Sequence, residues 1–224
     1  MASGAVRYCV MQPYFFPYGG YYRLMLETDV FVLFDCAQFP RRGRVHRCEV
    51  PDPNGRPTWL TLPIARAPRT ALISEIEFTT DAPQEISDRI RRSPAVGRTI
   101  REDPRLEPLL LAAEGKVLPY LTRQLEYVAG QLPSQVTLVN ASDVLPRDSA
   151  PYHDYIVALG VALGATEYTN PPGGRDLYQA GPFLAAGLSL NFLPPYEGPS
   201  DSVLAEALRS RDGLHSLVTR GRIA

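Results

Sequence analysis

The sequence predicts an α/β protein built on a partly parallel, Rossmann-like sheet flanked by helices, with an inserted β-hairpin. Three observations predict it. A short apolar run over 6–11 is followed by a helical stretch and then by Val30-Phe31-Val32-Leu33-Phe34, the unbroken pattern of a strand covered on both faces. Strand-length and helix-length segments then alternate along the chain, which favours parallel pairing through crossover helices. Asn54-Gly55 joins two further strand-like runs, and Asn-Gly is a strong hairpin signal.

The first strand, over 6–11, stops at Gln12-Pro13 because proline cannot donate to a ladder and moves its predecessor out of the helical region. A loop over 14–20 leads into a helix over 21–28 with Leu24 and Met25 inward, and 30–34 completes a short βαβ unit. Hairpin strands are expected over 45–50 and 58–63, and the alternation over 72–78 reads as another strand. Helices are expected over 84–92, 104–113 and 116–131. In the last of these Leu118, Leu121, Leu125 and Val128 fall at helical spacing and Pro119 sits harmlessly in the first turn. The sequence then predicts a strand over 136–139, a helix over 152–163 capped by Ser149 and closed by Gly164, and a strand over 166–168. A short helix over 181–186, a strand over 188–192 and a last helix over 202–209 follow.

The 224 residues, 45% of them hydrophobic, suffice for one ordinary domain with a core that needs no disulfide or metal. The 22 prolines are about twice the usual ~5% share but are spread along the chain, so they mark no linker. A net charge of −1 argues against a nucleic-acid patch or a binder of anionic membranes. No window reaches the ~18 apolar residues of a membrane segment, and the N-terminus lacks the apolar stretch of a secretory signal. Cys9, Cys36 and Cys48 are odd in number and lack CxxC spacing, which reads as buried thiols in a reducing cytoplasm. Lys116 is the only lysine, which removes most Schiff-base chemistry. His46, His153 and His215 are far apart, so no metal site is expected, and no GxSxG elbow is present.

Three segments are candidates for chemistry. The loop over 12–21 follows the first strand, where open α/β sheets bind ligands. It carries Gln12 as donor and acceptor, four aromatics over 14–18 and the Gly19-Gly20 pair; the alternative is a hydrophobic loop that caps the core. The segment over 35–47 begins with Asp35, a carboxylate that needs a partner directly after a buried strand, and continues with four arginines and His46 within seven residues. Guanidinium forks match phosphate or carboxylate, so a specific anionic ligand is expected. The alternative is a solvated arm whose arginines pair with Glu49, Glu75 or Glu77. In the third segment, Gly173 and Gly174 can line an anion nest, and the alternative is a plain Pro-Gly turn.

These residues resemble the WbqC-like family. Its opening strand is followed by a Q-P-x-x-x-P-x-x-G-Y loop, here Gln12-Pro13, Pro17, Gly20 and Tyr21. An aspartate after an apolar strand, a glutamine and a basic pair match Asp35, Gln38, Arg41 and Arg42, and a W-L-T-V-P-V signature matches Trp59-Leu60-Thr61-Leu62-Pro63-Ile64. Weaker matches occur at 164–166, Tyr168, Gly174, Tyr178, Phe183 and Gly187. Three positions depart from the pattern. His46-Arg47-Cys48 replaces N-R-N, Gly43-Arg44 replaces Ser-Trp, and the late S-x-x-D reads Ser202-Val203-Leu204-Ala205, with Glu206 one position on. The resemblance implies a place in surface-polysaccharide or other small-molecule biosynthesis, with a glycyl-type transfer to an amino sugar as the activity proposed for such proteins. The opening strand, loop, helix and Asp-preceded strand are also similar, by analogy, to the HxGH nucleotidylyltransferases, with Tyr18 and Tyr21 where the two histidines stand there.

The leading expectation is therefore an amide-forming acyl- or aminoacyl-transferase acting on the amine of an amino sugar or similar metabolite. Asp35 or His46 deprotonates the amine and Gln12 orients the carbonyl. Arg41, Arg42 and Arg47 hold an anionic group, while Tyr14, Tyr18, Tyr21 and Trp59 wall the pocket. Gly20, Gln38, Thr61, Gly173, Gly174 and Tyr178 complete the expected binding residues. The alternatives are an ATP- and Mg²⁺-dependent ligase or nucleotidyltransferase and a non-catalytic small-ligand-binding protein.

Overall fold

In the computed structural model, residues 4–149, 152–205 and 211–219 are described. The apolar runs at the N-terminus form β1 (Arg7–Met11) and β2 (Val30–Leu33), paired in parallel through α1 (Gly19–Leu26). Tyr8, Cys9, Val10, Phe31, Val32 and Leu33 are all buried, as strands with no solvent-facing side require. β2 then pairs with β5 (Thr137–Asn140), β1 with β6 (Glu167–Asn170), and β6 with β7 (Ser189–Phe192), every pair parallel. The sheet order is β5-β2-β1-β6-β7. Counting only these strands along the chain, this is the doubly wound order 3-2-1-4-5.

The long connection from β2 to β5 contains the expected hairpin, β3 (Arg47–Pro51) and β4 (Pro57–Thr61), antiparallel and forming a separate two-stranded sheet. It also holds α2 (Ala82–Arg91), α3 (Pro94–Glu102), α4 (Leu106–Leu111) and α5 (Val117–Ala129). The ring of Tyr120 on α5 stacks on Phe15 and meets Phe78 edge-on at 5.0 Å, which ties these helices to the loop after β1. The short α6 (Ala141–Val144) and α7 (Tyr152–Ala162) connect β5 to β6. α8 (Ala180–Ala185) connects β6 to β7, and α9 (Arg211–Val218) packs on α1. Tyr8 and Tyr168, on adjacent strands, lie 5.0 Å apart, and Tyr168 stacks on Phe183 of α8 at 5.2 Å.

Several expected elements differ. The segment over 72–78 is not a strand: Ile73–Glu75 is a 3-10 turn, and only isolated bridges flank it. The Glu75 carboxylate accepts from the Leu72 N–H at 2.8 Å, a local bond that competes with any ladder. The helices α3 and α6 were not expected, and neither was α9. Residues 202–205 form a turn, and the rest of the helix expected over 202–209 lies outside the described residues; Ser149 ends a 3-10 turn over Arg147–Ser149, and residues 150 and 151 between it and α7 lie outside the described residues. Gly164 does close α7, with φ +64°. The three cysteines are buried and free. Among the described residues no helix is long and apolar enough to cross a membrane, and no group of three or more His, Cys, Asp or Glu side chains is placed to hold a metal ion.

Candidate functional site

The strand order reverses beside β1, so β1 and β6 diverge in their connections and leave a crevice beyond their carboxyl ends. A cleft of about 480 Å³ occupies that position. The loop and helix after β1 contribute Tyr18, Gly20 and Arg23. The turn after β6 contributes Pro171, Pro172 and Gly173, and the segment after β7 brings Pro195 and Tyr196. Arg44 closes the remaining side.

The loop at the mouth is held tightly. Phe16 has φ +36°, an uncommon left-handed backbone for a bulky residue, and is fully buried. The Phe15 N–H donates to the Arg44 carbonyl at 3.0 Å, the Val203 N–H to Pro17 at 3.2 Å, and the Ser202 hydroxyl to the Phe16 carbonyl at 2.6 Å. The serine of the late family motif therefore clamps this loop. The glycine pair at its end serves close packing. A Cβ at Gly20 would run into the Tyr18 ring and approach Cγ of Tyr196 to 2.9 Å, and one at Gly19 would meet the Tyr196 hydroxyl.

Two arginines give the cleft its charge. Arg23, 3% exposed, donates to the carbonyls of Pro194 and Pro195 and lies 5.7 Å from the centre of the Tyr196 ring. Arg44 lies over Tyr18 at 5.9 Å and over Trp59 at 5.5 Å, with Glu49 at 3.8 Å. Arg47 stacks on Trp59 at 4.2 Å and donates to the Arg42 carbonyl. No acidic side chain is among the residues lining the cleft. Burial in an aromatic setting pushes the Tyr14 hydroxyl pKa up, and Tyr14 packs on Tyr21 at 5.3 Å.

The sequence-predicted residues thus separate into groups. Tyr18, Gly20 and Gly173 line the cleft, and Arg47 and Trp59 stand behind Arg44. Thr61 ends β4, and its carbonyl accepts from Arg89. Tyr21 is buried, donates to the Gln12 carbonyl at 2.9 Å and is not among the residues lining this cleft. Gly174 is buried against the Asn170 amide, and Tyr178 packs edge-on against Tyr168 at 5.3 Å; both serve packing. Gln38, Arg41 and Arg42 are exposed on the outer side of the arm.

Among the described residues the ion pairs include none to Asp35. It is 1% exposed at the end of β2, where its carboxylate accepts from the Ser142 N–H at 3.0 Å and the Ser142 hydroxyl at 2.6 Å. That places it beside β5, at the first turn of α6, and it is not among the residues lining the cleft. His46, 7% exposed, packs on Phe39 at 5.0 Å. Burial and the neighbouring Arg47 lower its pKa to about 4, so the imidazole is neutral at pH 7. Arg23 and Tyr196 were missed by sequence reasoning. The unbroken helical pattern around Arg23 hides it, and nothing local marks Tyr196.

The fold defines a doubly wound α/β protein with a cationic, aromatic cleft at the strand-order reversal. The WbqC-like protein family model matches residues 12–200, and the chain belongs to that family. No curated protein and no solved structure matches it.

Proposed function

We propose that the protein is an amide-forming acyl- or aminoacyl-transferase whose acceptor is an anionic metabolite bearing an amine, such as a phosphorylated amino sugar. The observation that carries the reading is the placing of Arg23 and Arg44 with Tyr18 and Tyr196 around one cleft that no carboxylate lines. Guanidinium groups bind phosphate or carboxylate through paired N–H donors, and tyrosine faces suit a sugar or base ring. In this reading Arg23 and Arg44 hold the anion. Asp35 and His46 are the candidate bases; both are buried and neither is among the residues lining the cleft, so the Asp35→Asn and His46→Gln variants decide between them. Asp35 also accepts two hydrogen bonds from Ser142, which ties it to α6.

The strand order 3-2-1-4-5 favours a second reading, the ATP-dependent ligase or nucleotidyltransferase, since this order recurs in nucleotide-binding sheets. Mass-spectrometric detection of amide product from acyl-thioester and aminoacyl-tRNA donors, offered nucleoside-diphosphate amino sugars, tests the first. Arg44→Ala is expected to raise KM for the acceptor at least about tenfold through loss of a charge-assisted contact, and the variant that removes the base to lower kcat. Absence of product with every donor, together with carboxylic-acid-dependent ATP–pyrophosphate exchange, would replace it by the second.

A further inference from the structure

Separate from the cleft, a second depression of about 480 Å³ is lined by Arg41, Arg66, Ala67, Pro68 and Arg69. Three guanidinium-bearing side chains surround it, none of its lining residues is acidic, and none of the three has a carboxylate partner among the described residues. All three arginines are exposed, so water screens their mutual repulsion, and with no carboxylate beside them their N–H donors are left to solvent or to an anion.

The walls are fixed by the fold. The Arg41 Nη2 donates to the Ala67 carbonyl at 2.5 Å and the Gln38 Nε2 to the Arg69 carbonyl at 2.6 Å. The Phe39 N–H donates to Ala71 at 2.8 Å, and the Ala71 N–H turns back to Pro68 at 3.2 Å. Two chain segments are thereby pinned together with their arginines on a common rim. Gln38 and Arg41, family-motif residues that lie outside the cleft, find their place here.

We infer that this depression is a second anion-binding site, built for a compact, multiply charged phosphate group such as a pyrophosphate. Each guanidinium offers a planar pair of donors, and three of them match the several oxygens of a pyrophosphate better than one carboxylate. The size of the depression and the low net charge favour a small nucleotide-type carrier over a long polyanion. The arm over 41–47 runs from this site to the cleft: Arg41 stands at one end, Arg47 bonds the Arg42 carbonyl and stacks on Trp59, and Arg44 reaches Tyr18 at the other.

The test is calorimetric titration of the full chain with inorganic pyrophosphate, paired with phenylglyoxal footprinting of its arginines. Pyrophosphate is expected to protect Arg41, Arg66 and Arg69 from modification. Arg66→Gln with Arg69→Gln is expected to weaken one binding event by at least about tenfold while leaving the unfolding midpoint unchanged. Arg66→Lys with Arg69→Lys, which keeps the charge without the fork, is expected to fall between. Unprotected arginines, or equal affinity in the glutamine variant, overturn the site. Coenzyme A competing with pyrophosphate supports a small carrier; deacylated tRNA binding through the same arginines, with no pyrophosphate binding, overturns the compact-ligand assignment in favour of RNA. The outcome is independent of amide formation, so failure of the transferase reading and failure of this site are read separately.

Discussion

Asp35 carries the sharpest prediction, because its carboxylate can serve as a base or as the partner that holds Ser142. Its carboxylate accepts two hydrogen bonds from Ser142, at 3.0 and 2.6 Å, from a position 1% exposed. A hydrogen bond to a charged group contributes about 1.5–3 kcal/mol net, so Asp35→Ala, which leaves the Ser142 N–H without its acceptor, costs about 3–6 kcal/mol. At about 2–4 °C per kcal/mol for a chain of this size, the melting temperature falls by roughly 6–24 °C. Asp35→Asn keeps an acceptor for the N–H and gains a donor for the hydroxyl, so only the charge is lost and the change is about 1 kcal/mol. Urea unfolding of both variants beside ligand titration of the cleft makes the check. An Asp35→Ala variant within about 1 kcal/mol of the parent would refute the structural assignment. So would an Asp35→Asn variant of unchanged midpoint that binds ligand but has lost all turnover, and that result would return Asp35 to the role of base.

Gly20→Ala drives a methyl group into the Tyr18 and Tyr196 rings; it should destabilise by about 1–3 kcal/mol and weaken anion binding in the cleft, both read by ligand-dependent thermal shift. His46 gives a pH signature. Its folded pKa of about 4 lies below the ordinary 6.5, so between those values the unfolded chain binds more protons and stability rises with pH. The gain is complete above about pH 6.5, amounts to at most about 3 kcal/mol, and should vanish in His46→Gln by urea unfolding across that window. Asp29 and Asp103, whose carboxyls Arg7 and Arg105 hold below 3.8, lose their contribution only at still lower pH and do not confound it. The three buried thiols, with Cys48 pushed up to about 12 by burial, should resist iodoacetamide in the native protein and all react once it is unfolded, as counted by intact mass.

The sheet was legible because burial on both faces writes itself as unbroken apolar runs. Phe31, Val32 and Leu33 leave no other reading, and Asn54-Gly55 fixed the hairpin. The segment over 72–78 misled because alternation reports burial on one side and not pairing. Its apolar residues Ile73, Ile76 and Phe78 are indeed buried, but the Glu75 carboxylate takes the Leu72 N–H that a ladder needs. The missed α3 carried a usable signal in Pro94 at its first position, weakened by Gly97 inside a short segment.

The site was legible only where one stretch of chain supplies it. Tyr18, Gly20 and the arginine arm lie close together in sequence, and of the cleft residues among them the motif marks Gly20. Arg23 and Tyr196 lie far apart and meet because β1 and the β6–β7 pair are adjacent, a fact of strand order that no local periodicity encodes. The same order bears on the surroundings of Asp35. A residue after a buried strand points to the ligand only at the strand-order reversal. β2 stands one strand away from that reversal, between β1 and β5, and the carboxylate at its end meets the first turn of α6. Composition was equally blind to place: four arginines over 41–47 read as one cluster, yet Arg44 turns in towards Tyr18 while Arg41 turns out towards Ala67. One arm therefore supplies a cation to each of two depressions.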